Sequence, residues 1–309
     1  MTEPATTQLE AVADESPTAP LWLTLTAAGT TLVLWASAFV GIRHLGASVP
    51  PGPLSLVRLA VMLLALLVLM RGRISRLPSR TEWTLILVGG ASWFGIYNLT
   101  LNEAERRIDA GTAALVVQVG PILVGLLAVS FLGERLTRWM VLGMAIGFGG
   151  VVLIARGQAG HSEGDVVGVM LALVAALTFA VGVLTQRRLL VTMRPVELTF
   201  WYALVGLVVC LPWSAQTVSV LSGASANTWW WLLYLGVFPS AIAFSTWAYA
   251  LSHAPNAGTF AQSTFLVPFI TTLMAWLMLD EVPPLAAFVG GALCIAGVLV
   301  ARRPPRAAT

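Results

Sequence analysis

Two prolines in the middle of long apolar stretches mark places where a solute could be bound. Proline has no backbone N–H, so a helix that contains Pro121 or Pro268 loses one hydrogen bond and bends. The carbonyl groups left free would be those of Val117 and Thr264. In an apolar surrounding such groups need another partner, so both kinks should face other protein groups or a wet cavity. A packing kink without any solute contact is an equal alternative.

Polar and aromatic side chains in the same stretches are the candidates for lining a cavity. Amides and hydroxyls are tolerated inside helix bundles because they hydrogen-bond across them. Gln118 and Gln262 lie near the two kinks, and we expect at least one of them to line the cavity. For any single aromatic ring, packing in the core or against lipid is the more common role. The candidates are Trp35, Ser37, Tyr97, Asn98, Gln118, Thr178, Gln186, Ser245, Trp247, Gln262, Ser263 and Thr264.

Arg58 is a charged residue that lies well inside an apolar stretch. It lies about 7–8 Å of helix rise below the predicted outer surface. A long side chain at that depth can reach the lipid headgroups at little cost. The functional alternative is a fixed positive charge near the outer mouth of a cavity, where it would attract carboxylates or gate access. The structural role is slightly favoured, and both interpretations remain open.

Residues that could perform catalysis or bind a metal are not arranged for either role. The three histidines, His44, His161 and His253, fall in predicted loops, and neither an HExxH nor a GxSxG motif occurs. Glu134 and Glu281 end two different apolar stretches, on opposite predicted faces, so they do not share a site. We therefore predict no enzyme activity, no metal and no cofactor. The interiors of the predicted spans contain no Asp or Glu, which favours neutral or zwitterionic solutes over cations.

The composition indicates a membrane protein. Hydrophobic residues make up 58% of the 309 positions and charged residues 10%, with a mean hydropathy of +0.85. Soluble chains carry about 25% charged residues, so a soluble enzyme, a nucleic-acid binder and a disordered protein are all disfavoured. A bilayer core needs on the order of 20 apolar residues per helix. We predict an all-α membrane protein with ten transmembrane helices, at residues 21–42, 53–70, 83–101, 110–132, 138–155, 166–186, 196–213, 229–249, 258–279 and 284–301.

The distribution of arginines orients the predicted helices. All seventeen basic residues are arginine, and twelve of them fall on the side that carries both termini, against four on the opposite side. Because positively charged loops stay in the cytoplasm, we predict a multi-pass protein of the plasma membrane with both termini cytoplasmic. Residues 1–20 are acidic and lack the features of a signal peptide, which predicts a disordered tail. Residues 304–309 are predicted to be a short cytoplasmic tail.

A displacement of 147 residues aligns the two halves of the chain. Ala110-Gly111-Thr112 matches Ala257-Gly258-Thr259, and Glu134 matches Glu281. Each half holds five predicted helices, an odd number, so the second copy must cross the membrane in the opposite direction. Inverted repeats with a cavity between them are a recurrent design of secondary transporters, although duplication kept for structural economy would leave the same pattern. Further matched pairs are Pro121/Pro268, Gly143/Gly290, Gly150/Gly297 and Arg156/Arg303.

The repeated motif is long enough to compare with known families. Its two copies contain Gly111-Thr112-Ala113-Ala114, Pro121, Leu132-Gly133-Glu134-Arg135-Leu136-Thr137, Gly143 and Gly150, and then Gly258-Thr259, Pro268, Asp280-Glu281, Gly290 and Gly297. This pattern resembles the EamA family of drug/metabolite transporters, over nearly everything after residue 20. The resemblance implies two EamA-like repeats, at 21–156 and 165–303. It also implies a passage lined by the first four helices of each half, with the fifth helices peripheral.

These features together predict a secondary transporter, an exporter of small neutral or zwitterionic metabolites such as amino acids that works by alternating access. The alternatives are a carrier for other small solutes or drugs and a channel-like facilitator, although no filter-like loop is visible. The expected partners are a small-molecule substrate and membrane lipid, with no nucleic acid. We expect a monomer or a weak dimer.

Overall fold

A computed structural model describes residues 20–45, 48–107, 113, 116–158, 165–279 and 285–303. The predicted tails lie outside these ranges apart from residue 20, as do Ala110, Gly111, His161 and Glu281. Within the described residues every regular element is a helix, which confirms the all-helical prediction. The helices are α1 (Leu21–Leu45), α2 (Pro51–Leu69), α3 (Arg80–Arg107), α4 (Gly120–Leu132), α5 (Arg138–Gln158), α6 (Val166–Leu189), α7 (Pro195–Ser222), α8 (Ala226–Ser252), α9 (257–279) and α10 (Leu285–Ala301).

The helices have the length and the surface of membrane spans. In the described part of the chain, α1, α2, α3, α6, α7 and α8 are long and apolar enough to cross a bilayer, and α4, α5 and α10 are shorter apolar helices. Large apolar side chains point outward, among them Leu64, Val68 and Leu285, whose exposed fractions are 64%, 78% and 78%. Helices that are apolar on their outer faces as well as their inner ones belong in lipid. The chain is therefore an integral membrane protein.

Helix α3 is longer than the predicted span at 83–101. Its first turn is closed by a capping box, in which the Glu82 N–H donates to the Ser79 hydroxyl and the Ser79 N–H donates to the Glu82 carboxylate. Near its other end Arg107 Nε donates to Glu103 Oε1 at 2.8 Å, one turn away. Hydropathy marks where a helix meets lipid, whereas caps and ion pairs mark where it ends. The extension places Glu105 inside a helix that the apolar pattern had ended earlier.

Both halves contain a widened helical turn at the same point of the repeat. Residues Gly90–Ile96 of α3 and Val237–Ile242 of α8 form π-helical turns, and the displacement between their first residues is again 147. Asn98 Nδ2 donates to the Phe94 carbonyl at 2.9 Å, and the Ser240 hydroxyl donates to the Leu235 carbonyl at 2.7 Å. Such turns are frequent at functional sites because they redirect side chains. The repeat therefore extends into α3 and α8, beyond the residue pairs that the sequence comparison matched.

Helices α5 and α10 pack directly against each other through matched glycines. A Cβ added at Gly150 would lie 2.5 Å from the Gly290 carbonyl oxygen, and one at Gly290 would lie 2.6 Å from the Gly150 carbonyl oxygen. Gly143 and Gly297 make the same reciprocal approach, at 2.6 and 2.7 Å. Small residues allow the backbones of membrane helices to come this close. The four glycines matched by the 147-residue displacement thus lie in one interface between the halves.

The other helices of the two halves are interlaced. Helix α1 packs against α8 and α9, α2 packs against α7 and α8, and α6 packs against α3 and α4. The largest buried cluster lies where these helices meet and is rich in aromatic rings, including Trp93, Phe94 and Trp247. The interior of the protein is therefore built jointly by both halves.

Candidate functional site

Arg58 faces a small internal cavity. Its side chain is 8% exposed, and its Nε and Nη2 atoms donate to the Ser240 hydroxyl at 3.4 and 3.2 Å. The bond joins α2 of the first half to the π turn of α8 in the second half. The cavity measures about 10 Å³, room for about one water molecule. Its lining consists of Ser55, Arg58, Leu59, Met62, Phe94, Asn98, Ser240 and Phe244.

One wall of this cavity is polar. Asn102 Nδ2 donates to the Ser55 hydroxyl at 3.1 Å, which joins α3 to α2, and both side chains are buried. Asn98 contributes its amide to the wall while it donates to its own helix. Glu105, two turns further along α3, interacts electrostatically with Arg58 without forming an ion pair with it. The polar wall therefore carries a positive charge, with an acid at longer range.

The opposite wall of the cavity is aromatic and leads into a cluster of rings. Phe94 and Phe244 have ring centroids 4.5 Å apart, and Phe244 lies 5.2 Å from Trp35. Trp35 and Trp247, two predicted lining residues, are 4.9 Å apart. The indole nitrogens of Trp35 and Trp247 are buried without a hydrogen-bond partner in the described chain. The structure thus brings Arg58, Asn98, Trp35 and Trp247 into one continuous region between the halves.

Tyr97 and Gln186 lie at the edges of this region. The ring of Tyr97 is 6.4 Å from that of Phe179, which in turn is 6.3 Å from Trp247. Gln186, on α6, is fully buried, and neither its amide nitrogen nor its amide oxygen has a protein partner among the described residues. Buried polar atoms are nearly always satisfied in folded proteins, so an unpartnered amide and two unpartnered indoles in one interior are unusual.

A second polar group lies at the break in α9. Residues Gln262–Phe265 form a 3-10 turn just before Pro268, so the regular α-helix of α9 is interrupted next to this proline. Gln118 Nε2 donates to the Thr264 carbonyl at 2.7 Å, so the carbonyl expected to be freed by Pro268 is bound by a side chain from the other half. Gln262 Nε2 lies 3.4 Å from the Met140 carbonyl, and Ser263 has a buried hydroxyl without a described partner.

The two prolines have similar local surroundings. Residues 116–117 are helical and residues 118–119 form a turn just before α4, in which Pro121 is the second residue. Pro268 is likewise the third residue of the regular segment that follows the 3-10 turn of α9. The first turn of a helix tolerates proline because its N–H groups have no intrahelical partner there.

Removal of the Gln118 amide should destabilise the protein through the unpaired Thr264 carbonyl. We expect Gln118→Ala to lower the free energy of unfolding by about 1–3 kcal/mol, the cost of a buried unsatisfied group. Pro268→Ala restores a backbone N–H at position 268. The cost of Gln118→Ala should therefore be smaller in the Pro268→Ala background, as thermal unfolding of the purified double variant would measure. Equal costs in both backgrounds would contradict the pairing.

The hydroxyls of four predicted lining residues bond within helices or at contacts between helices. Ser37 exchanges a hydrogen bond with the Tyr234 hydroxyl at 2.6 Å, between α1 and α8. Thr178 donates to the carbonyls of Val174 and Ala175 in its own helix, and Ser245 does the same to Ala241. Thr264 likewise donates to Ala261. These hydroxyls are tied to backbone or to a neighbouring helix.

One end of the helix bundle is closed by charged side chains, two of which cross between the halves. Glu134, just after α4, accepts from the backbone N–H groups of Ala257 and Gly258 at 2.7 and 3.3 Å, at the start of α9. Arg187, near the end of α6, donates within the second half to the carbonyls of Leu251 in α8 and Ala254 just after it. An exposed neighbour, Arg188, donates to the carbonyl of Phe131 in α4.

Another cross-half contact lies at the opposite end of α6. Arg107 Nη1 donates to Asp165 Oδ2 at 3.3 Å, and Asp165 also caps α6 by accepting from the Val167 N–H at 2.8 Å. The capping bond and the guanidinium lower the pKa of Asp165 from its ordinary value. The interior region is therefore bounded at both ends by contacts between the halves.

Sequence reasoning missed Glu105, Ser240 and the role of Glu134. The apolar pattern of the third span ended before Glu105, and a serine in a proline-containing stretch gave no signal of its own. Glu134 matched Glu281 in the repeat, but the sequence placed it only at the end of an apolar stretch and assigned it no partner. The signal that could have revealed the partner of Glu134 was the Ala-Gly-Thr motif, which contains Ala257 and Gly258. This motif and a matched glutamate occur together in both halves of the sequence.

The fold and the site define a class of protein. Two like halves that enclose a partly polar interior within a membrane bundle are a construction found in transporters. Residues 22–156 and 166–303 each match the EamA-like transporter family, and the chain belongs to that family. The resemblance drawn from the doubled motif is thereby confirmed.

Individual relatives carry transporter names. The chain is 35% identical over 275 residues to a protein of Streptantibioticus cattleyicolor named a probable terminal-alkyne amino-acid exporter, with 88% of this chain and 91% of that protein covered. It is 31% identical over 270 residues to the uncharacterized transporter YdfC of Bacillus subtilis, with 86% of each covered. It is 25% identical over 222 residues to a probable amino-acid metabolite efflux pump of Escherichia coli, with 66% of this chain and 74% of that protein covered. A crystal structure with a TM-score of 0.74 and 22% identity, over 90% of this chain and 96% of the other, shares the fold.

Proposed function

We propose that the protein exports small neutral or zwitterionic metabolites, amino acids with apolar side chains in particular, across the plasma membrane. The observation that carries the proposal is the joined region between the halves, in which a buried arginine and unpartnered indoles adjoin an aromatic wall. A zwitterion with an apolar side chain would present its carboxylate to the polar wall with Arg58 and its side chain to the aromatic wall. Two relatives, one named a probable terminal-alkyne amino-acid exporter and the other a probable amino-acid metabolite efflux pump, support the same substrate class.

The transport mechanism in this proposal is alternating access. The architecture comprises ten transmembrane helices in two inverted repeats, at 21–156 and 165–303, with the arginine-rich face and both termini in the cytoplasm. The cavity holds about one water molecule, so a substrate-sized hollow requires the halves to move apart. Contacts between the halves at both ends of α6 are then the gates that open in turn.

Each end of the bundle supplies one of these gates. Glu134 binds the N–H groups of Ala257 and Gly258 at one end, on the predicted cytoplasmic face. Arg107 binds Asp165 at the other end of α6, on the predicted outer face. The first contact would therefore close the cytoplasmic face and the second the outer face. Alternation follows if one of the two contacts must break before the other forms.

Counterflow in proteoliposomes tests the proposal. Vesicles that contain the purified full chain are loaded with unlabelled L-leucine and exposed to labelled L-leucine outside. A carrier should give saturable uptake that rises when leucine is present inside. Flux that is linear in concentration and indifferent to internal leucine would indicate a channel-like facilitator. Absence of leucine exchange, with exchange of a non-carboxylate drug instead, would overturn the amino-acid assignment.

A further inference from the structure

Arg58 is a buried cation whose donors are incompletely used. Its two described hydrogen bonds both end on one neutral acceptor, the Ser240 hydroxyl, at 3.2 and 3.4 Å. None of the ion pairs among the described residues includes Arg58, and Glu105 acts on it only through a longer-range electrostatic interaction. A guanidinium has five N–H donors, and a buried charge is costly unless it is paired. The site therefore favours an additional anionic partner.

The surroundings of Arg58 specify what kind of anion fits. The planar fork of a guanidinium matches the two oxygens of a carboxylate. Leu59, Met62, Phe94 and Phe244 line the same cavity, and the rings continue toward Trp35. An inorganic anion would leave this apolar wall without a partner. A carboxylate joined to an apolar chain would use both walls.

We propose that Arg58 is the specificity-determining residue that binds the carboxylate of the transported solute, and that this carboxylate replaces the Ser240 hydroxyl as its main partner. The inference rests on the proposed function and names the group that this function must recognise. Arg58 belongs to the first half and Ser240 to the π turn of α8 in the second half. Replacing their bond by a bond to substrate changes a contact between the halves, so binding at Arg58 is linked to their movement.

Three leucine-like probes separate the carboxylate from the rest of the solute. L-leucine carries both charges, L-leucinamide lacks the carboxylate, and 4-methylpentanoate lacks the ammonium group. The measurement is inhibition of labelled leucine counterflow together with direct binding to the full chain in nanodiscs. The wild type should bind leucine at least about tenfold more tightly than leucinamide, because a charge-assisted bidentate pair is lost. In Arg58→Gln the two should bind equally.

Controls keep the test decisive. Arg73→Gln removes an exposed arginine after α2 and should retain the wild-type preference. Arg58→Met replaces the buried charge by an apolar chain of similar length and serves if Arg58→Gln fails to fold. A folded Arg58 variant that still prefers leucine tenfold would overturn the inference and leave the proposed function intact. The inference would also be overturned if the wild type bound neither L-leucine nor 4-methylpentanoate more tightly than L-leucinamide.

The inference and the proposed function can fail separately. If the wild type exchanges no amino acid but binds 4-methylpentanoate in an Arg58-dependent manner, the carboxylate site stands and the amino-acid assignment falls. If leucine exchange is saturable but independent of Arg58, the assignment stands and the carboxylate site falls.

Discussion

Replacing Gly150 with leucine should nearly abolish the yield of folded protein. A Cβ at this position would lie 2.5 Å from the Gly290 carbonyl oxygen and 2.8 Å from the Cys294 backbone nitrogen. Neither backbone atom can move without separating α5 from α10. Overpacking of a well-packed interior costs about 1–3 kcal/mol even where side chains can adjust, and a clash with backbone should exceed that range. Size-exclusion chromatography and thermal unfolding of the detergent-solubilised variant measure the effect.

The adjacent glycine provides a matched control. Gly149 lies in the same helix, is exposed, and has no atom within 4 Å of an added Cβ. Gly149→Leu should therefore fold with an unfolding temperature close to that of the wild type. A Gly150→Leu protein as stable as Gly149→Leu would show that α5 and α10 do not pack closely.

The matched glycines illustrate what the sequence can predict. A displacement of 147 residues pairs Gly143 with Gly290 and Gly150 with Gly297, and these residues meet in one interface. Their actual contacts are crossed, with Gly150 against Gly290 and Gly143 against Gly297. A repeat predicts that equivalent residues have equivalent surroundings, whereas helix direction decides which residues touch. The fold class was therefore accessible from sequence, and the pairing was not.

The interior site depends on contacts that local patterns do not encode. Arg58 and Ser240 are 182 residues apart in the sequence. Their bond requires that α2 is oriented with Arg58 facing α8, and that the π turn of α8 presents Ser240 to it. Gln118 was a predicted lining residue, and the free Thr264 carbonyl was predicted separately, but their direct bond joins positions 146 residues apart. Hydropathy and proline chemistry identify the groups that need partners. Which partner each group finds depends on how the two halves dock.

Removing the Glu134 carboxylate should shift the protein toward a state open at that end of the bundle. Its bonds to the N–H groups of Ala257 and Gly258 have a charged acceptor, and such bonds contribute about 1.5–3 kcal/mol each when buried. Glu134 is only half-buried, so we expect Glu134→Ala to cost the closed state about 2 kcal/mol in total. That corresponds to a shift of roughly thirtyfold in the ratio of closed to open molecules. Spin labels at the exposed Leu136 and Pro255 would report it as a longer distance.

The contact at the opposite end of α6 supplies the stricter test of this gate. Arg135→Ala removes an exposed charge beside Glu134; as the control, it should leave the distance distribution unchanged. Arg107→Ala removes the bond to Asp165, and alternation requires that it populate the closed state at the Glu134 end, because the opposite face then opens more readily. Exchange of leucine should slow in both Glu134→Ala and Arg107→Ala, since each favours one orientation of a cycle that needs two. Parallel shifts of the two variants in the same direction would contradict a pair of alternating gates, because two gates that open in turn must respond to these substitutions with opposite signs.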